Sequence, residues 1–473
     1  MKVSIFLSVL ISLSVPDFGL AQHEHHAPPA SPTPAPTPPP APTPGTPAGS
    51  APDDSMKGMD HSQMKASTPP SSDTARNLFQ SDMSLMTGMT PRDPMSEMTG
   101  MAGWHLMDMG IARISFNRQG GDSGGSAVES NNWNMIHAQH ALGRGRLSLM
   151  MMNSLEPATY AKLGSRELFQ TGESYRGQPL VDRQHPHDFF MNLSATYRLD
   201  LGPESGAWLQ LAPVGEPALG PVAFMHRASS GENGTAPLGH HWQDSTHIAF
   251  NVITAGAGWK WIAVEGSAFH GREPDEHRWD IEGGSVDSAS GRANFFFGGG
   301  WSAQVSYGFV KSPEALQPGN THRTTAALFY GADGDRPFAA TILWGRNVES
   351  HGTSDAWLLE GAYQLTAEDQ IYGRAELVQK DFVLLATKRL SESEHAGTDL
   401  VRVGAYTLGY LRDFPWLRKL KTGLGADVTA YSFPSSLRPV YGRFPLSVHA
   451  FLRLRWGAPH SGGAHDEHSG MKM

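Results

Sequence analysis

Across SVHAFLRLRW, residues 447–456, Val448, Ala450, Leu452, Leu454 and Trp456 fall on one face, and His449, Phe451, Arg453 and Arg455 on the other. A period of two predicts a strand. An apolar row backed by arginines suits a transmembrane barrel, with lipid outside and a wet lumen inside. WKWIAVEGSAF repeats the pattern around Glu265, and QIYGRAELV around Arg374 and Glu376. From Ile111 onward the alternation predicts strands near 111–118, 134–142, 146–155, 187–199, 206–213, 244–255, 259–270 and 286–297. Further strands are predicted near 301–310, 322–331, 337–347, 356–366, 370–381, 400–412, 420–433 and 445–457. SVDSASGRANFFF is the weakest of these segments. Including it makes short connections (Gly143-Arg144-Gly145, Gly298-Gly299-Gly300) alternate with long ones (156–186, 214–243, 271–285, 382–399) to the end of the chain.

The expected fold is therefore all-β: a transmembrane antiparallel β-barrel of about 16 strands. An even strand number places both termini on the short-turn side, the periplasm. Closure gives every backbone donor a neighbouring strand, so no edge is left to aggregate. A soluble all-β sandwich is the competing fold; strands of roughly 10 residues favour the membrane. No apolar run approaches the roughly 20 residues that a membrane helix needs.

Outside the alternating region the chain reads differently. Residues 1–21 form a secretory signal peptide, with Lys2, a short apolar run and Gly19-Leu20-Ala21 before the expected cut at Gln22. Residues 22–55 hold a His cluster and a Pro/Ala/Thr linker that stays extended. Residues 56–110 are a Met/His-rich flexible segment, 111–457 the barrel, and 458–473 a His/Met-rich tail. The 473 residues contain no cysteine, so a soft-metal site must use Met and His. The net charge of −9 gives no support for a nucleic-acid partner. Outer-membrane lipid is the expected surrounding.

The 20 methionines and 22 histidines give the tails their chemistry. Met56, Met59, His61, Met64, Met83, Met86, Met89, Met95, Met98 and Met101 precede the barrel, with His105, Met107 and Met109 following them. Thioether sulfur is a soft, uncharged donor suited to Cu(I) or Ag(I). His23, His25 and His26 form a nitrogen-rich tip suited to Cu(II), Ni(II) or Zn(II), and His460, His465, His468, Met471 and Met473 match it at the other end. Metal handling competes with two other readings of the Met tract: an oxidant sink or compositional drift, and a helix packed on the barrel. Gly88, Pro91, Pro94 and Gly100 interrupt such a helix.

MKGMDHSQM, residues 56–64, resembles the MDHSQM-type repeats of the copper resistance protein B family, whose plan of signal peptide, Met/His-rich segment and outer-membrane barrel is also similar. The resemblance covers this motif and the architecture, not the barrel sequence. It implies copper binding at the outer membrane through Met56, Met59, His61 and Met64, with periplasmic copper proteins as partners.

Other histidines belong to the barrel. VDRQHPHDFF carries His185 and His187, and LGHHWQDSTH carries His240, His241 and His247, all near the long-loop end. A His-x-His pair on extended chain can point both rings one way, giving a metal site at the mouth; a loop-packing network is the competing reading. Glu265, Arg374, Glu376, Arg402, Asp427, Arg453 and Arg455 are expected to line the lumen, setting a pore's field or filling it with ion pairs.

The leading expectation is an outer-membrane barrel whose periplasmic tails bind copper for sequestration, export or tolerance. The alternative is a porin for small solutes with incidental metal-binding tails. No motif specifies an enzyme, since no nucleophile is set beside a base in a recognisable pattern.

Overall fold

The computed structural model describes residues 103–457 apart from 203, 316–318, 333–335, 351, 387–399 and 418–419. Within them sixteen strands close into one antiparallel barrel, each paired with its sequence neighbour and the first with the last. They are β1 (Trp104–Gln119), β2 (Gly125–Leu142), β3 (Gly145–Asn153), β4 (Phe190–Gly202), β5 (Ser205–Gly215), β6 (Ala249–Trp259), β7 (Ile262–His270) and β8 (Ser288–Gly298). The circuit continues with β9 (Trp301–Val310), β10 (Thr321–Ala332), β11 (Phe338–Glu349), β12 (Gly352–Gln364), β13 (Asp369–Asp381), β14 (Leu400–Leu417), β15 (Leu420–Ser432) and β16 (Leu446–Trp456). The expected closed barrel and its strand number are present, including the weak segment, which forms β8.

Closure is sealed by β1 against β16, in register from Gly110 opposite Trp456 to Gln119 opposite Ser447. Tight turns lie at the end that holds Trp104 and Gly457. Gly143 sits there at φ +62, a left-handed conformation open to glycine at little cost. The β3–β4, β5–β6, β7–β8, β13–β14 and β15–β16 connections extend from the other end.

The two faces of the wall are inverted relative to a water-soluble protein. Ile114, Leu209, Ile253, Val305, Ile342, Leu408 and Leu424 are exposed on the outside. Arg113, Gln210, Thr254, Gln304, Thr341, Thr407 and Asp427 are buried on the inside. So large an exposed apolar band matches hydrocarbon rather than water. Exposed Trp104, Trp259, Trp261, Phe297 and Trp301 gather at the tight-turn end, where an aromatic girdle meets the headgroups.

Three expectations need correction. The first strand begins at Trp104, not Ile111, so Met107 and Met109 are wall residues rather than part of a flexible segment. Residues 244–248, expected to open a strand, instead carry a 3-10 turn at Ser245–His247. Arg402 is exposed, while its neighbours Val403 and Ala405 are buried inside, so it does not line the lumen.

Candidate functional site: the loop-filled lumen

The β5–β6 connection turns into the barrel, and residues 216–248 are buried along almost their whole length. A buried loop must satisfy its backbone polar groups, and here the inner wall supplies the partners. Ser267 of β7 accepts from the Ala218 amide at 2.7 Å, and Ser306 of β9 from the Gly220 amide at 2.8 Å. Arg292 of β8 donates to the Gly220 carbonyl at 2.7 Å. Arg374 of β13 donates to the carbonyls of Thr235 at 3.0 Å and Ala236 at 3.1 Å, and Asn347 of β11 to that of His241 at 3.1 Å.

Charge pairs fix the same loop. Arg227 donates to Glu360 of β12 at 2.6 Å and to Asp244 at 2.5 Å. Glu232 receives Arg453 and Arg455 of β16, each at 2.7 Å, and Arg113 of β1 at 3.5 Å. Glu265, Arg374, Glu376, Asp427 and Arg453 do face inward, and they join ion-pair networks: Glu265 with Arg292 at 2.9 Å, Glu376 with Arg374 at 2.9 Å. The β3–β4 connection covers the loop from the long-loop end, where Lys380 donates to Gln170 at 3.2 Å and Phe169 stacks on Tyr441.

The four mouth histidines separate into carboxylate pairs. His185 bonds Glu173, and His241 bonds the same Glu173 at 3.2 Å. His187 bonds Glu156 at 2.8 Å, and His240 bonds Asp244 at 2.7 Å. Gly172, at φ +107, leaves the face of the His241 ring room that a Cβ would fill at 2.9 Å. His187 and His240 both lie against His247, with ring centroids 5.3 and 5.2 Å apart. Burial holds His240 and His247 below the usual imidazole range and His226 down at about 3, so these rings are neutral. His226 Nε2 and His247 Nε2 have no hydrogen-bond partner among the described residues.

Among the described residues no group of three or more His, Asp or Glu side chains is placed to hold a metal ion. The tail ligands His23, His25, His26, Met56, Met59, His61, Met64, Met83, Met86, Met89, Met95, Met98, Met101, His465, His468, Met471 and Met473 lie outside the described residues. Among the cavities around the loop are two with charged residues in their lining. One of about 50 Å³ is bounded by Arg113, Glu129, Glu156, His187, Phe224 and His449. The other, of about 170 Å³, lies at the long-loop end between His241, Glu314, Asn347, Glu349 and Asp381. Polar and charged side chains border both, but apolar surface makes up the larger part of each wall.

The inner wall also carries a patch that reading the sequence for tails overlooked. Met109, Met135, Met150, Met152 and Met191 form one buried cluster with Val214, Val222, Ile248 and Phe250. The signal was available in RLSLMMMN, where a period of two puts Met150 and Met152 on the same face.

No family model matches the chain, and no curated protein sequence matches it. Among solved structures, the chain is similar to OprB of Pseudomonas putida, at 9% identity and a TM-score of 0.47, over 75% of this chain and 94% of that one. It is also similar to a loop L8 deletion mutant of OmpT, an outer membrane protein of Vibrio cholerae, at 9% identity and a TM-score of 0.46, over 75% and 99% of the two chains. OmpF of Salmonella typhi, solved with daunomycin, is similar at 10% identity and a TM-score of 0.45, over 75% and 97%.

Proposed function

We propose that this protein is an outer-membrane channel for small solutes, closed at rest by its β5–β6 loop, with both termini in the periplasm. The observation that carries this reading is the way the lumen is filled. The strands alone would enclose a wide passage, as barrels of this strand number do. Among the described residues the β5–β6 connection fills it and the β3–β4 connection packs over its outer end, the β5–β6 loop being held by hydrogen bonds and ion pairs rather than by sheet pairing with the wall. Such a segment can shift while the barrel stays closed, because no wall-to-wall backbone bond depends on it.

The test is conductance across a planar bilayer. The wild-type protein is expected to show a low resting conductance with brief openings. A variant with residues 217–247 replaced by a short Gly/Ser linker should conduct steadily. If both are silent while the barrel is folded, the channel reading fails.

We further propose, from the Met/His composition and the 56–64 motif, that the tails bind Cu(I) and Ag(I). Deleting residues 22–102 tests this and spares β1, which begins at Trp104. Copper tolerance should fall while solute permeation survives.

A further inference from the structure

The buried methionines are laid out in rows. Strand register sets Met107 of β1 opposite His137 of β2, and His137 opposite Met150 of β3. The next row sets Met109 opposite Met135, and Met135 opposite Met152. Directly opposed residues have Cβ atoms about 4.5–5.5 Å apart, so a row of three presents neighbouring side chains to one point in the lumen. Met225 of the inserted loop packs on this patch. His226 beside it rests on Trp133, ring centroids 4.6 Å apart, and keeps a buried Nε2 with no hydrogen-bond partner among the described residues.

Packing alone does not account for the choice of side chain. Five of the nine buried members of this cluster are methionine. Among the described residues the other buried clusters are built from Leu, Phe, Val, Ala, Tyr and Trp and contain no methionine. A core that only needs filling is better specified by stiffer aliphatic side chains, since methionine is flexible and defines a position poorly. The patch also continues the Met-rich tract in sequence: Met95, Met98 and Met101 lead directly into Met107 and Met109.

We propose that the β1–β3 wall, with Met225 and His226 of the loop covering it, is a binding site for a soft monovalent cation, Cu(I) or Ag(I), inside the lumen. This rests on the channel reading and names a substrate for it. Thioethers with a neutral imidazole suit such an ion and bind Zn(II), Mg(II) or Ca(II) poorly. The site is uncharged, so the ion keeps its own charge and is held by sulfur donation rather than by carboxylates. Mobility of the loop would uncover the wall and let the ion on and off.

The test uses the full-length protein in detergent micelles, labelled with ¹³C at the methionine methyl groups and titrated with silver nitrate. Single Met→Leu variants assign the signals. The Met107, Met109, Met135, Met150 and Met152 signals should shift together. The pair M150L and M152L, which conserves volume, should weaken the response of the remaining wall methionines at least tenfold. Wall signals that stay fixed while tail signals move would overturn the site. Liposome flux separates the two readings. Passage of an uncharged sugar with an unresponsive wall leaves the channel standing and removes the site. A wall that takes silver in a barrel that passes neither silver nor sugar, with or without its loop, keeps the site and removes the channel.

Discussion

Arg227 on the inserted loop donates to Glu360 on the β12 wall at 2.6 Å, and both side chains are almost wholly buried. Asp244 takes a second nitrogen of the same guanidinium at 2.5 Å, and Ser229 donates to Glu360 at 2.9 Å. Removing one partner from such a set leaves a buried charge uncompensated, at a cost of about 3–5 kcal/mol. R227M should therefore detach this part of the loop. The expected outcome is a several-fold rise in open probability in planar bilayers, with the barrel still resistant to unfolding in cold SDS.

Glu232 lies where three arginines converge, Arg113, Arg453 and Arg455. Burial opposes its charge, but the arginines outweigh that and hold its pKa down at about 2 against an ordinary 4.5. The sign follows. A carboxylate with a depressed folded pKa contributes stability above pH 4.5, and that contribution is lost as pH falls from 4.5 toward 2. E232Q should remove this acid dependence from loop closure, measured as conductance against pH. It should also leave Arg113 and Arg455 without this carboxylate, while Arg453 keeps Asp413, and shift reversal potentials toward anion selectivity.

The fold was legible because each strand satisfies two solvents at once, and that demand writes a period of two into the chain. The β16 assignment, with Val448 out and His449 in, is found in the structure. The start of β1 was obscured because Met107 and Met109 sit inside a composition that reads as a flexible tract. The loop insertion left no periodic trace: residues 216–248 mix Gly, Pro and polar residues with scattered apolar ones such as Leu219, Phe224 and Trp242, and wall partners such as Arg292 and Arg374 hold them inside. For the same reason the sequence left a metal site and a loop-packing network both open for the mouth histidines: their carboxylates, Glu156, Glu173 and Asp244, are distant in sequence or already committed to arginine.

The outer band can be tested at Ile342, midway along β11 and about half exposed (49%). An arginine on the lipid face of a barrel costs about 2–4 kcal/mol near the midplane. I342R should lose about that much in urea unfolding from lipid vesicles. T341N, one residue away on the buried inner face, adds volume to a packed lumen but no charge to lipid. Its loss should not depend on bilayer thickness, whereas that of I342R should fall in thinner bilayers.

Glu314, in the β9–β10 connection, faces His241 of the inserted loop with 3.8 Å between Oε1 and Nδ1. Burial raises its pKa to about 7 from an ordinary 4.5, only partly offset by His241 and further raised by Glu273. Here the sign is opposite to that at Glu232. Between pH 4.5 and 7 the folded protein holds a proton that the unfolded chain has released, so stability falls as pH rises through that window. Above it the ionised carboxylate stands near Glu273, itself held at about 2 because His241 and Arg323 outweigh its burial. The repulsion bears on the segment that covers the loop's outer end. E314Q should remove this dependence, so that wild type loosens between pH 5 and 7.5 while the variant does not. Hydrogen exchange at the 240–247 amides measures it: protection falling with pH, after correction for the intrinsic rate, in wild type and staying level in E314Q. Equal slopes in the two proteins would mean that another group governs the outer end of the loop.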